Sequence, residues 1–199
     1  MHSFIYRLNA LFTFAGTTLA LMCIMATITD YFHPMNADID IKLARVERIQ
    51  RMDNGNDEAY LAFEIDADLR PLFSWNTKLL FVFLAAEYTT KDNRLSQVSL
   101  WDRIIEHEQD AVLKLPYVRN KYKLVDQGHH LRGRAINLTM YWNIMPFTGR
   151  LRWGQRVFSD VVLPSNYSRA EHVPTWRAMS AMDFRAAQRH MGGGPDLQY

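Results

Sequence analysis

The chain has 199 residues, of which 48% are hydrophobic and 22% charged, with a net charge of +2. This balance is ordinary for a globular fold and makes no strong field for nucleic acid or acidic lipid, so a nucleic-acid partner is not expected. The single cysteine, Cys23, lies in an apolar stretch, which excludes an internal disulfide and leaves the rest of the chain without a thiol nucleophile.

Between Arg7 and Asp30, residues 8–29 carry no charge. As a helix of about 22 residues this run would span about 33 Å, enough to cross a hydrocarbon core about 30 Å thick. A cleaved signal peptide is the competing reading, but its apolar region normally runs only about 7–15 residues before a small-x-small site. Here the candidate pairs near the end, such as Cys23 with Met25 or Ala26 with Ile28, are poor. We therefore expect an uncleaved signal anchor seated in the lipid bilayer. Arg7 and the α-amino group on one flank, with Asp30, Asp38 and Asp40 on the other, favour a cytosolic segment 1–7 and a luminal or exterior remainder. Within the span, Gly16 and Ala20 are four apart and Thr13, Thr17 and Thr18 add small polar groups, which suits packing against another helix or plain exposure to lipid.

The residues after the anchor, about 170 of them, suffice for one domain with a proper core. Strand patterns dominate. Ile39, Ile41 and Leu43 alternate with polar neighbours, as do Leu61, Phe63, Ile65, Ala67 and Leu69, and the turn at 52–57 centred on Asn54-Gly55 makes the two a hairpin. The apolar run 79–86 reads as a central strand buried on both faces, with a buried helix as the alternative. Further strands are expected at 98–105, 117–125, 136–144 and 155–163, separated by loops such as 127–133 and 146–154. About seven short strands without interleaved helices argue an antiparallel β-sandwich. The spacing of Trp176, Met179 and Ala186 predicts a short helix over 175–191, ended by three glycines and Pro195 and followed by a disordered tail.

Catalytic signatures are sparse. No G-x-S-x-G serine is present, and the nearest approach to a histidine cluster is Asp126 with His129 and His130 in a glycine-bounded loop. Adjacent histidines on a strand point to opposite faces, so a solvated loop is expected rather than a metal site. His107 and Glu108 read as a polar strand end. No catalytic residue, metal or cofactor is assigned. Two sequons carry a mechanism, Asn137-Leu138-Thr139 and Asn166-Tyr167-Ser168, since either asparagine could receive a glycan in an endoplasmic reticulum lumen. Ile136, Leu138, Met140, Trp142 and Ile144 form the expected inward set of their strand, which leaves Asn137 on the outward face.

Three blocks of residues have a familiar order. They are Phe73-x-Trp75-Asn76-x-Lys78, then Ala86-Glu87-Tyr88-x-Thr90 with Asn93, then Gln97-Val98-x-Leu100-Trp101-Asp102. A further block runs Asn137-Leu138-Thr139-Met140-Tyr141-Trp142-Asn143-Ile144-Met145-Pro146, and the start Asn9-Ala10-Leu11-Phe12-Thr13-Phe14 lies in the anchor. Together these resemble the signal peptidase complex subunit 3 family, the glycosylated, non-catalytic subunit of the eukaryotic endoplasmic reticulum signal peptidase. The resemblance implies a single-pass type II protein of the endoplasmic reticulum membrane, with cytosolic residues 1–7, a transmembrane helix at 8–29, a luminal β-sandwich at 30–168 and a C-terminal extension at 169–199. It implies as partners a catalytic subunit that holds the cleaving residues and the small membrane subunits of the complex. The extension and the second sequon depart from the usual family pattern.

Phe73, Trp75, Tyr88 and Trp101 are aromatic anchors that suit a core or an interface, and core packing is the expected role for each. Glu87 and Asp102 beside them are expected on a solvated face. Two other classes fit the same composition: a membrane-anchored hydrolase using the Asp126–His130 loop, and an independent luminal binding module such as a chaperone or cargo receptor.

Overall fold

A computed structural model describes residues 3–91 and 93–168, and the helix expected at 175–191 lies outside the described residues, as does the tail. Helix α1 spans Phe4–Tyr31, 28 residues, about 42 Å at 1.5 Å per residue. It is longer at both ends than the uncharged run, because Arg7 and Asp30 stay within the helical hydrogen bonding. Its threonine hydroxyls turn back on the helix: Thr13 Oγ1 donates to the Asn9 carbonyl at 2.9 Å and Thr18 Oγ1 to that of Phe14 at 2.8 Å. These groups are thus satisfied internally, which is what a lipid surround requires. The helix is exposed along nearly its whole length, and Asp30 is its buried residue.

The domain behind it is the expected antiparallel sandwich. One sheet is ordered β1 (Asp38–Arg51), β2 (Asp57–Asp68) and β5 (Val112–Arg119), with the short β6 (Leu124–Val125) also paired to β2. The other is ordered β4 (Ser96–Ile105), β3 (Thr77–Tyr88), β7 (Ala135–Pro146) and β8 (Arg152–Val162). The expected hairpin joins β1 to β2. Gly55 holds φ 90°, open to glycine, and Asn54 Oδ1 accepts from the Asn56 amide at 3.1 Å.

Alternation builds the core. Ile39, Ile41, Leu61, Phe63, Ile65 and Ala67 from one sheet face Leu80, Val82, Leu84, Leu138, Met140 and Ile144 from the other, all buried. Each large side chain fully buried here contributes about 1.5–3 kcal/mol by removal from water. The inward set expected for β7 is all buried, and Asn137 is exposed.

Two expectations need correction. The run 79–86 is a central strand, flanked by β4 and β7, but it alternates as far as Leu84: Leu80, Val82 and Leu84 are buried while Leu79, Phe81 and Phe83 on the other side are only half-covered, and both Ala85 and Ala86 are buried. Its uniform apolarity therefore does not reflect burial on two faces within this chain. The strand expected at 117–125 is two elements. β5 begins earlier, at Val112, and accommodates Pro116 because it is a sheet-edge strand. Asn120 then breaks the run: its Oδ1 accepts from the Leu61 amide at 3.0 Å and its Nδ2 donates to the Tyr122 carbonyl at 2.8 Å.

Candidate functional site

The sandwich meets the helix at one end. Three segments converge there: the last turns of α1, the turn 74–77 entering β3, and the loop 147–151 between β7 and β8. An α-helix leaves its last carbonyls without partners and carries partial negative charge at that end. Arg152, the first residue of β8, answers both, donating from Nη1 to the Asp30 carbonyl at 2.6 Å and from Nη2 to the His33 carbonyl at 2.9 Å. The Asp30 carboxylate accepts from Ser74 Oγ at 2.7 Å, and His33 Nε2 reaches the Pro71 carbonyl at 2.9 Å. Asn76, buried, clamps the loop: its Nδ2 donates to the Thr148 carbonyl at 2.8 Å and its Oδ1 accepts from the Thr148 amide at 3.2 Å. Gly149, with φ 107°, lets that loop approach the helix, since a Cβ there would sit 3.1 Å from the Thr27 side chain. A cavity of about 360 Å³ lies in the junction, lined by residues that include Thr27, Asp30, Thr148, Arg150 and Arg152.

The opposite end is closed by acids. Buried Asp126 accepts from Tyr88 Oη at 2.9 Å and from the His130 amide at 3.1 Å, and its Oδ2 lies 2.9 Å from His130 Nδ1. Buried Asp57 accepts from Tyr167 Oη at 2.8 Å. Burial, reinforced by the Asp126 carboxylate, pushes the Tyr88 phenol well above its ordinary range. The loop that carries His129 and His130 is thus tied to the fold, and among the described residues no group of three His, Cys, Asp or Glu could hold a metal ion. His107 stands just past β4, at the start of a short 3-10 turn (Glu108–Asp110), rather than on a strand.

The outer face of the β4-β3-β7-β8 sheet is apolar over much of its width. Phe81, Phe83 and Tyr141 form a stack, with ring centroids 5.6 Å apart for Phe81 with Phe83 and 5.0 Å for Phe83 with Tyr141. Register extends the row to Ile104 on β4 and, through Asn143, to Trp153 on β8, which is 79% exposed. Beside the stack is a second cavity of about 360 Å³, lined by Phe81, Phe83, Ser99, Asp102 and Tyr122. Asn143 Oδ1 is enclosed yet has no hydrogen-bond partner.

The residues singled out from the sequence fall in three places. Tyr88, Trp101 and Trp142 are buried, and Phe73 packs partly against the core. Glu87 accepts from Gln97 Nε2 at 3.0 Å and from Tyr141 Oη, while Asp102 accepts from Lys121 Nζ at 2.8 Å, and that amine holds the carboxyl below its usual range. Both belong to the outer face, half-buried rather than freely solvated. Asn76 and Trp75 belong to the junction, with Lys78 exposed just beyond. Trp75 departs from the expectation of core packing: it is 71% exposed and lines an open depression together with Leu21, Met22, Met25, Ala26 and Thr29 of α1. Asn166, like Asn137, is exposed. Sequence reasoning missed Arg152, Ser74 and Thr148 because their partners are distant in sequence. The outer-face aromatics Phe81, Phe83 and Trp153 did leave a trace, the unbroken apolarity of 79–86.

Residues 1–166 match the protein family described as signal peptidase subunit. A protein of Dictyostelium discoideum named signal peptidase complex subunit 3 is 35% identical over 167 residues, covering 84% of this chain and 97% of its own length. The Gallus gallus protein of the same name is 37% identical over 157 residues, 76% of this chain and 87% of its own. The human one is 35% identical over the same shares. With the match running from the anchor through the last described strand, the chain belongs to the signal peptidase subunit family.

Proposed function

We propose that this chain is a non-catalytic accessory subunit of the signal peptidase complex, supporting removal of signal peptides from nascent secretory proteins at the endoplasmic reticulum membrane. In this reading residues 1–7 are cytosolic, 8–29 cross the bilayer, 30–168 form the luminal sandwich and 169–199 are an extension. The observation that carries it is the outer face of the β4-β3-β7-β8 sheet, where aromatic side chains are left half-covered and Trp153 is strongly exposed. Exposed apolar patches of this kind mark protein interfaces. The catalytic subunit is the assigned occupant, with the small membrane subunits around α1. Family membership and the structural use of Asp126 and His130 support the non-catalytic role.

The test is co-purification of the tagged full chain, in mild detergent, with signal peptidase activity. Phe83→Asp combined with Trp153→Asp is expected to abolish recovery of activity while the variant stays folded and membrane-bound. Recovery of the native chain as a lone monomer, or cleavage of a signal-peptide substrate by the purified chain alone, would overturn the reading. Asn137 and Asn166 are assigned as glycan acceptors, and a mass shift on endoglycosidase treatment that disappears in Asn137→Gln and Asn166→Gln checks each. Asn137 lies near the end of β7 away from the helix, so a glycan there leaves the Phe81 and Trp153 end of the face open.

A further inference from the structure

We infer that the helix-facing end of the sandwich is itself a membrane-inserting surface, with Trp75 and the 147–151 loop seated in the luminal leaflet beside α1. The inference rests on the reading of α1 as a membrane span and adds a second, non-helical point of entry into lipid.

Depth is the first ground. Trp75 lines one depression with helix residues 21, 22, 25, 26 and 29, and residue 25, in the middle of that set, is about 6 Å inside residue 29 at 1.5 Å per residue. If residues 8–29 fill the hydrocarbon layer, the indole lies below the luminal boundary. The 147–151 loop stands at a similar level, since Gly149 abuts Thr27, a residue of the span. These contacts are part of the folded chain, so a helix inserted to its charged ends carries both segments into the leaflet.

Composition is the second ground. Tyr31, Phe32, Trp75 and Phe147 are all strongly exposed around the helix exit, and Leu151 is half-exposed. Amphipathic and aromatic rings concentrate at membrane–water interfaces because one end is apolar and the other can be wet. Neither 74–78 nor 146–152 contains a carboxylate, whereas they supply Lys78 and Arg150 beside Arg152, which is held by the helix end. The acid within the junction, Asp30, is buried and bonded to Ser74. Cations whose stems lie beside apolar groups reach lipid phosphates from this position, and carboxylates would be repelled. The backbone is prepared for low polarity as well: the Phe147 amide donates to the Asn76 carbonyl at 2.8 Å, the Thr77 amide to that of Ser74 at 3.0 Å, and Asn76 satisfies Thr148. Backbone polar groups close to the hydrocarbon need such partners within the protein.

The full chain is tested in phosphatidylcholine vesicles, with Cys23→Ser as background and an environment-sensitive fluorophore on a single introduced cysteine. Trp75→Cys and Phe147→Cys report the proposed surface, Leu95→Cys the far end of the sandwich, and Ala15→Cys the middle of the helix. Labels at 75 and 147 should shift to the blue and lose most of their emission to nitroxide-bearing lipid, while the label at 95 responds only to aqueous iodide. Phe147→Cys guards against misfolding of the Trp75 variant. Quenching of 75 and 147 by iodide and not by lipid, with 15 still lipid-quenched, would overturn the inference and leave the anchor reading intact. Loss of lipid quenching at 15 would instead overturn the anchor reading itself. Protection of 75 and 147 from both quenchers would mean a protein occupant and would also overturn the inference.

Discussion

The two ends of the sandwich are closed by opposite means. Away from the helix, closure depends on buried carboxylates, with Asp57 and Asp126 each gathering hydroxyl or amide donors from loops far apart in the chain. At the helix one buried carboxylate, Asp30, is held by Ser74, and closure depends mainly on Asn76 and Arg152, whose amide and guanidinium groups bond backbone carbonyls and amides, with large aromatic rings left facing outward. The difference follows from surroundings. A buried acid is tenable where several donors are at hand, whereas an end whose polar groups are bonded to one another suits a place where the solvent is lipid.

Substitutions at the two ends should separate this contrast, and the largest effect belongs to the acidic end. Asp126→Ala leaves the Tyr88 hydroxyl and the His130 amide without their acceptor, at about 1–3 kcal/mol for each. The thermal midpoint of the full chain in detergent should fall by about 5–15 °C. A shift under about 2 °C would mean the acid is dispensable for closure.

Asn76→Ala comes next, at about 1–3 kcal/mol, because it frees both Thr148 backbone groups. Amide exchange should quicken at 147–149 and stay unchanged at 126–131. Equal acceleration at both ends would erase the distinction between them.

Tyr88→Phe is milder, about 1 kcal/mol at neutral pH. It also changes the alkaline limb. The folded-state phenol titrates above the ordinary tyrosine value of 10.0, so the hydroxyl's contribution is full below about 10 and is lost as pH rises beyond it. Native protein should lose denaturant resistance over that range and the variant should lack this component. Matching alkaline limbs would remove Tyr88 as the source.

The smallest effect is expected from Trp75→Ala, within about 0.5 kcal/mol, since the ring contributes little to the core. A loss as large as that of Asn76→Ala would make Trp75 a packing residue and weaken the contrast.

Periodicity carried most of the fold. The β1–β2 hairpin, the inward set of β7 and the central place of β3 were legible because side-chain alternation and Asn-Gly turns are local properties of the chain. The β5–β6 region was not, since Pro116 normally ends a strand and only its edge position, a matter of sheet order, permits it. The candidate surfaces were half visible. The apolarity of 79–86 was plain, but whether its second face is covered by this chain or by another depends on tertiary structure. Trp75 read as a core residue because an isolated tryptophan in a strand-rich sequence usually is one, and its place along α1 follows from a turn whose partner, residue 148, is 72 positions away.

Arg152 sets a clock as well as a joint. It lies 122 residues after the carbonyl it holds at Asp30. At a synthesis rate of about 5–20 residues per second, roughly 6–24 s pass between the making of the two. Ser74 and Pro71 reach Asp30 and His33 earlier in synthesis and begin to fix the heading of the anchor, and β8 completes it when Arg152 closes on the helix end.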